Sequence, residues 1–321
     1  MAVHEQSDPA SLAGIGGSRS FLGVVEQARE LARIPRPMLI RGERGTGKEL
    51  LARFVHAASP RHAGPYLIVN CGAFQDELLV SHLFGHEKGA FTGATERRAG
   101  VFEQANGGTL FLDEIANLSR NAQARLHRVA EYQTFQRVGG TASIEVDVRL
   151  IAATNADLGA MIERGDFMAD LYDRLRFAEI VLPPLRERRE DVPLLIDHFI
   201  ARLHDELPDL GAARFTEAAV KELAGYAWPG NVRELKNVIE RLYVSDRDRT
   251  IQASELPLEI TTTEPIRGTF SQKVRAFEKA LVLNALKDAS GNQREAAQKL
   301  GMTYDQFRHY YRKYSLGDLV R

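Results

Sequence analysis

The 321-residue chain reads as an α/β P-loop domain with a helical lid subdomain, followed by an all-α helix-turn-helix domain. Three observations predict this. Short β-branched runs alternate with longer helical stretches up to about residue 182, the pattern of a parallel sheet with crossover helices. After Pro183-Pro184 the strand signals stop and helical periodicity continues alone. Near the C-terminus two stretches of helical spacing, each with its own capping residues, flank the tight turn Leu300-Gly301-Met302.

Strands are expected at residues 38–41, 66–69, 109–112, 146–152 and 179–182, and helices at 48–58, 121–131 and 157–164. The lid is expected to place helices at 191–207, 216–226 and 231–244. Residues 260–269 are rich in Thr, Glu, Pro and Gly without periodicity, the composition of an exposed linker. The organisation is therefore a short tail (1–20), an α/β subdomain (21–183), a lid subdomain (184–259), a linker (260–269) and a helix-turn-helix domain (270–321).

Composition is ordinarily globular, 44% hydrophobic and 26% charged, with no apolar run long enough to cross a bilayer. The first residues carry no basic-then-apolar pattern, so a cytoplasmic location without membrane insertion is expected. The lone Cys71 makes no internal disulfide and reads as a small buried residue beside a strand. The formal net charge of −1 hides an asymmetry: residues 268–321 hold ten Lys and Arg against five Asp and Glu. That basic end is either a nucleic-acid module or a solvated surface, and a motif must decide.

The run Met38-Leu39-Ile40-Arg41 leads into Gly42-Glu43-Arg44-Gly45-Thr46-Gly47-Lys48-Glu49, which opens a helix. Glycines let backbone N–H groups wrap phosphate oxygens, the helix N-terminus adds its dipole, and Lys48 reaches the β and γ phosphates of ATP. Glu49 stands where a Ser or Thr usually contacts Mg²⁺; a carboxylate there holds the metal directly or through water. A second apolar run, Gly107-Gly108-Thr109-Leu110-Phe111-Leu112, ends in Asp113-Glu114. Delivered to the phosphate site by a parallel strand, Asp113 suits Mg²⁺ and Glu114 the attacking water; the alternative is a helix-capping pair. The strand at 146–152 runs on to Thr154 and Asn155, placed either to sense the γ-phosphate or, for Asn155, to cap the next helix.

Between these elements lies Gly89-Ala90-Phe91-Thr92-Gly93-Ala94. Two glycines flanking Phe91-Thr92 describe an exposed tip with an aromatic at its apex, an interaction anchor unless the ring tucks back into the fold. This GAFTGA segment, with GERGTGKE, GGTLFLDE, LPPLRER and WPGNVRELKN, resembles the AAA+ domain of the sigma-54-dependent enhancer-binding proteins over residues 21–244. The resemblance implies an ATP-hydrolysing homo-oligomeric ring, hexameric in the family, whose GAFTGA loop contacts sigma-54 RNA polymerase and moves it as ATP turns over. It also implies that Asn70 is a switch residue pairing with Glu114, that Arg233 is the sensor II arginine, and that Arg174 is a finger completing a neighbour's site. The residue-level alternative for Arg233 is a surface pair with Glu234 or Glu240. The family usually has a second arginine in Phe-Arg-x-Asp-Leu, where this chain has Met168. Either that second arginine is dispensable, or the position has been altered, or hydrolysis is poor; the last supports, as an alternative function, a nucleotide-binding DNA-binding repressor with weak or no ATPase activity. With about twenty residues before the ATPase no receiver domain is expected there, and control by a negative regulator in trans is expected, for a phage-shock or envelope-stress operon.

In the basic end Val274, Phe277 and Leu281 recur at helical spacing. Asn292 with Glu295, and Thr303 with Gln306, read as capping boxes of two further helices, and the ensemble resembles the Fis-type helix-turn-helix. The second helix of such a motif enters the major groove, which makes Thr303, Tyr304, Asp305, Gln306, Arg308, His309 and Arg312 candidate contacts to an upstream activating DNA sequence. Phe307 and Tyr311, at i and i+4, are expected to face the core.

Overall fold

The computed structural model describes residues 15–245, 249–261, 274–275, 278–279, 281–283, 285–286, 289, 291–314 and 316. Residues 1–14 of the expected tail, 262–269 of the linker, and Phe277 lie outside them. The chain divides into two compact units, Met1–Leu195 with Trp228–Lys236, and Ile196–Ala227 with Asn237–Arg321.

In chain order the first unit holds α1 (Arg19–Ala32), β1 (Met38–Arg41), α2 (Lys48–Ala57), β2 (Tyr66–Asn70), α3 (Asp76–Phe84), α4 (Val101–Gln104), β3 (Thr109–Asp113) and α5 (Arg120–Tyr132). A hairpin of β4 (Thr134–Phe135) and β5 (Ile144–Glu145) follows, then β6 (Arg149–Thr154), α6 (Leu158–Glu163), α7 (Ala169–Leu175) and β7 (Ala178–Val181). The five long strands form one parallel sheet in the order β2-β3-β6-β1-β7. Side chains alternate between its faces. Leu39, Leu110, Leu112, Leu150 and Ala152 join the buried core with α3, α4, α5 and α7. Met38, Ile40, Phe111, Ile151 and Ala153 face the opposite core with α1 and α2. Both faces are covered, which is why these strands read as near-continuous apolar runs.

The strand expected at 146–152 begins later, at Arg149. Val146 N donates to Gln133 O and Val148 N to Gln133 Oε1, both at 2.9 Å, so the preceding residues are committed to the hairpin.

The second unit begins within α8 (Asp191–Glu206) and adds β8 (Arg214–Phe215), α9 (Glu217–Gly225), the C-terminal part of α10 (Asn231–Ser245), β9 (Thr250–Ile251) and α11 (Leu258–Thr261). Its turn at 211–215 is anchored by Tyr243, whose hydroxyl donates to Gly211 O at 2.7 Å under the Arg249 guanidinium. Towards the C-terminus α12 (Gln293–Lys299) and α13 (Tyr304–Lys313) pack on Val282, Leu286 and Leu316, with Phe307 fully buried and Tyr311 half-buried against that core. The Thr303 box closes in both directions: Gln306 N donates to Thr303 Oγ1 at 3.3 Å, and Thr303 N to Gln306 Oε1 at 2.9 Å. The Asn292 box closes in one direction only, which corrects the sequence reading. Asn292 caps Arg294 N and Glu295 N, but its own N–H goes to Ala289 O at 2.8 Å, and Glu295 turns to Lys299.

Among the described residues no helix is long and apolar enough to cross a membrane.

Candidate functional site

Parallel register brings the candidate residues of four segments to one edge of the sheet. Asn70 lies beside Asp113, and Thr154 beside Arg41, the residue that leads into the glycine loop. From there Lys48 Nζ donates to Gly42 O at 2.9 Å and Glu43 O at 3.0 Å. Burial pushes the lysine pKa down; Asp113 and Glu114 oppose that shift, while Arg233 and Arg44 add to it. Three cations and two carboxylates thus converge where a polyphosphate would be met. Gly45 has φ 76°, and a Cβ there would stand 2.2 Å from Gly230 O and 3.0 Å from Arg233 Cβ, so only glycine lets the loop and the Arg233 turn touch. Glu234, the other partner considered for Arg233, accepts the Gly230 N–H at 2.7 Å.

Burial raises the Asp113 carboxyl above its ordinary value, against the Glu114 amide, which donates to it at 2.9 Å, and against Lys48. Glu114 holds a left-handed backbone, φ 56°, a conformation that stores strain in a non-glycine residue. Its Oε2 accepts from Asn117 Nδ2 at 3.3 Å, while Asn70 Oδ1 accepts Gly72 N at 2.8 Å. Glu49 is engaged along its own helix by Arg53, with Nε and Nη2 at 3.2 and 3.0 Å. Thr154 is fully buried and its Oγ1 accepts Ala156 N at 3.0 Å; Asn155 is exposed. The cap of α6 is Asp157, not Asn155. A buried thiol beside this site, Cys71, is pushed up to about 12 and is accordingly inert.

Arg174 lies on α7 and pairs with Glu131 of the same chain at 2.6 Å. Met168 is the N-cap of α7, its carbonyl accepting Tyr172 N at 3.1 Å; its own N–H donates to Gln123 Oε1 at 2.8 Å, and its side chain packs half-buried on the apolar core.

The 89–94 loop projects after α3. Phe91 is 38% exposed with its ring edge-on to His86 at 5.0 Å, so it is partly tucked back; Thr92 is exposed, and Ala94 is buried. Gly89 N donates to Ala94 O at 2.8 Å and closes the loop's neck. The sequence reading missed what holds this loop. Arg137, in the turn of the β4–β5 hairpin and 7% exposed, donates to Glu87 just before the loop (2.9 Å) and to Glu103 on α4 (2.9 Å). Glu87 N also donates to Val138 O at 3.0 Å, and Gly139, with φ 73°, lets the turn sit against Ala90, where a Cβ would approach to 2.8 Å. The detectable signal was Gly139-Gly140 between two short β-branched segments.

On α13 the residues Asp305, Arg308, His309, Arg312 and Lys313 line one polar surface depression. Thr303 and Gln306 serve the cap, and Tyr304 lies beneath the Arg294 guanidinium at 5.6 Å.

Three family models match in series: the sigma-54 interaction domain over residues 15–181, the AAA+ ATPase lid domain over 186–273, and the bacterial regulatory protein, Fis family, over 273–314. The chain is 44% identical over 320 residues to the Psp operon transcriptional activator of Escherichia coli (strain K12), covering 94% of this chain and 98% of that one. It is 46% identical to the transcriptional regulatory protein ZraR of Salmonella typhimurium, covering 90% of this chain and 66% of that regulator. Among solved structures, NtrX from Brucella abortus in complex with ADP superposes with a TM-score of 0.72 at 32% identity, over 95% of this chain and 71% of that one.

Proposed function

The chain belongs to the sigma-54-dependent AAA+ transcriptional activators, and on that premise we propose how its own residues divide the work of an ATP-dependent activator. The glycine loop at 42–47 cradles the phosphates of ATP, with Lys48 and Arg233 meeting their charge. The donor chemistry suits Mg²⁺, because the Asp113 carboxylate stands at the strand end close to Lys48, and such an ion takes one or two carboxylates and shares the phosphates and water. Asp113 would hold it, with Glu49 as a second carboxylate once released from Arg53, and the ion would neutralise charge developing on the transferred phosphoryl group. Glu114 orients the attacking water and is held by Asn117, while Asn70, expected to pair with Glu114, here accepts the Gly72 amide and would have to exchange it to act as the switch. Arg174 is supplied to a neighbouring subunit, which makes a ring, hexameric by family, part of the active site.

The observation that carries the proposal is the Arg137 clasp. It ties the exposed Thr92 loop to α4 and the hairpin inside the same α/β body that forms the phosphate loop. In this reading the clasp fixes the stance of a surface loop suited to engage sigma-54, so that the loop moves with the body that turns over ATP. The α13 face contacts upstream DNA, and a regulator acting in trans controls output, plausible for a phage-shock operon given the relative in Escherichia coli. Met168, the one observation favouring a repressor without turnover, packs half-buried against the core, and the reading as an activator rests on Arg174 alone supplying the finger.

The test is open-complex formation by sigma-54 polymerase on a linear promoter, with ATP and with a non-hydrolysable analogue. ATP alone is expected to support it. Thr92→Ala should keep ATPase activity and lose open complexes; retained activation by that variant would remove the loop from the mechanism.

A further inference from the structure

Each peptide plane points its C=O and the following N–H in opposite directions. Fixing a carbonyl therefore aims the next amide. In the glycine loop three successive carbonyls are held from outside. Arg44 O accepts Asn231 Nδ2 at 3.0 Å, Gly45 O accepts Val232 N at 3.0 Å, and Thr46 O accepts Arg188 Nη2 at 3.1 Å. The amides of Gly45, Thr46 and Gly47 are thereby turned the other way, away from Asn231, Val232 and Arg188.

Asn231 is the hub of this arrangement. It is fully buried and holds a left-handed backbone, φ 53°. Its side chain makes three hydrogen bonds, with both donors used: Oδ1 accepts Leu185 N at 2.7 Å, and Nδ2 donates to Glu43 Oε2 at 3.1 Å as well as to Arg44 O. Glu43 is gripped in turn by Arg186 through two hydrogen bonds, at 2.9 and 2.7 Å. These bonds, Arg186 first and Asn231 second, hold the Glu43 carboxyl below its ordinary pKa. A buried polar group with a strained backbone and no spare donor is a device for fixing geometry.

We infer that Asn231 is a positioning residue for nucleotide binding, aiming the Gly45 amide at the phosphates and, because α10 starts at Asn231, linking that helix to the shape of the phosphate loop. The inference rests on reading residues 42–48 as the phosphate site. Asn231→Asp keeps the size and the acceptor for Leu185 N, loses the donor to Arg44 O, and sets a second carboxylate against Glu43. In the full-length chain, titration with a fluorescent ATP analogue and with ADP should show both affinities weakened at least tenfold. Turnover at saturating ATP should stay within threefold of wild type, and so should secondary structure and cooperative melting. That split between binding and turnover is what a general loss of packing would not produce. Glu43→Ala, at a half-exposed position, loosens the same Nδ2 without touching the core and should weaken both ligands threefold or more, which covers a failure of the Asp variant to fold. Wild-type affinity in both variants, with Lys48→Ala abolishing binding, would overturn the inference. Undiminished binding by Lys48→Ala would instead overturn the phosphate-site reading beneath it.

Discussion

Arg174 is engaged by Glu131 within its own chain, so a finger acting across a subunit boundary must first exchange that carboxylate for a phosphoryl group. The exchange is inexpensive because both side chains keep about a third of their surface in water. Met168, at the family's other arginine position, has its thioether on the core and offers no charge to compensate for a lost Arg174. Arg174→Ala is therefore expected to leave nucleotide affinity within about threefold and to lower turnover by on the order of 10³, the lower end for an arginine finger. Steady-state ATPase assays beside nucleotide titrations check this, and turnover within tenfold of wild type would take Arg174 out of the chemistry. Residues of this kind were legible only in part. Lys48, Asp113 and Glu114 stand in contiguous motifs whose geometry is local. Asn117 and Asn231 act through contacts that depend on which strands and turns meet: no spacing announces Asn117, and Asn231 stands in WPGNVRELKN, where only the fold shows what its side chain holds.

At the scale of elements, strands with two buried faces and helices with one apolar stripe were readable, as β1, β3, α2 and α5 illustrate. Helix α3 was not: Leu79, Val80, Leu83 and Phe84 form its buried face, but the exposed Leu78 beside them blurs that stripe in the sequence. The β4–β5 hairpin escaped because its strands have two residues each, too short to alternate. Yet this hairpin delivers Arg137. Burial by itself would raise the Glu103 carboxyl; the Arg137 hydrogen bond and the Gly100 amide outweigh it and hold it below the ordinary 4.5. A carboxylate depressed in the folded state stabilises above its unfolded pKa and loses that contribution as pH falls through the folded value. Arg137→Ala should cost about 2 kcal/mol near neutral pH, less than a fully buried pair because Glu87 keeps a third of its side chain in water. The gap between variant and wild type should narrow as pH drops below 4.5. Denaturant melts at neutral and acid pH test the sign, and a gap that widens in acid refutes it. The same variant should retain nucleotide binding while failing to form open complexes.

The whole molecule joins an ATPase body to a Fis-type DNA-binding domain, and the join is visible in charge before it is visible in structure. Residues 268–321 carry a basic excess while the chain as a whole is nearly neutral. Arg308 and Arg312 lie exposed along the α13 depression, whereas Lys313 there is already paired with Glu278 at 2.7 Å. Phosphate contacts release counterions, so each should contribute about −0.9 to the slope of log affinity against log salt. Arg312→Ala is expected to reduce that slope by about one unit and to weaken all sequences alike if the residue meets phosphate. Loss of sequence preference at an unchanged slope would make it a base reader instead. The DNA module also bears on the proposed ring, because subunits held on neighbouring sites meet at a raised effective concentration. Removing residues 268–321 should leave ATP turnover intact at high protein concentration, and it should shift the concentration needed for half-maximal promoter opening upwards by tenfold or more. Promoter titrations with the two chains measure that shift. Equal half-maximal concentrations would mean that the ring closes without help from DNA, with the module serving only to choose the promoter.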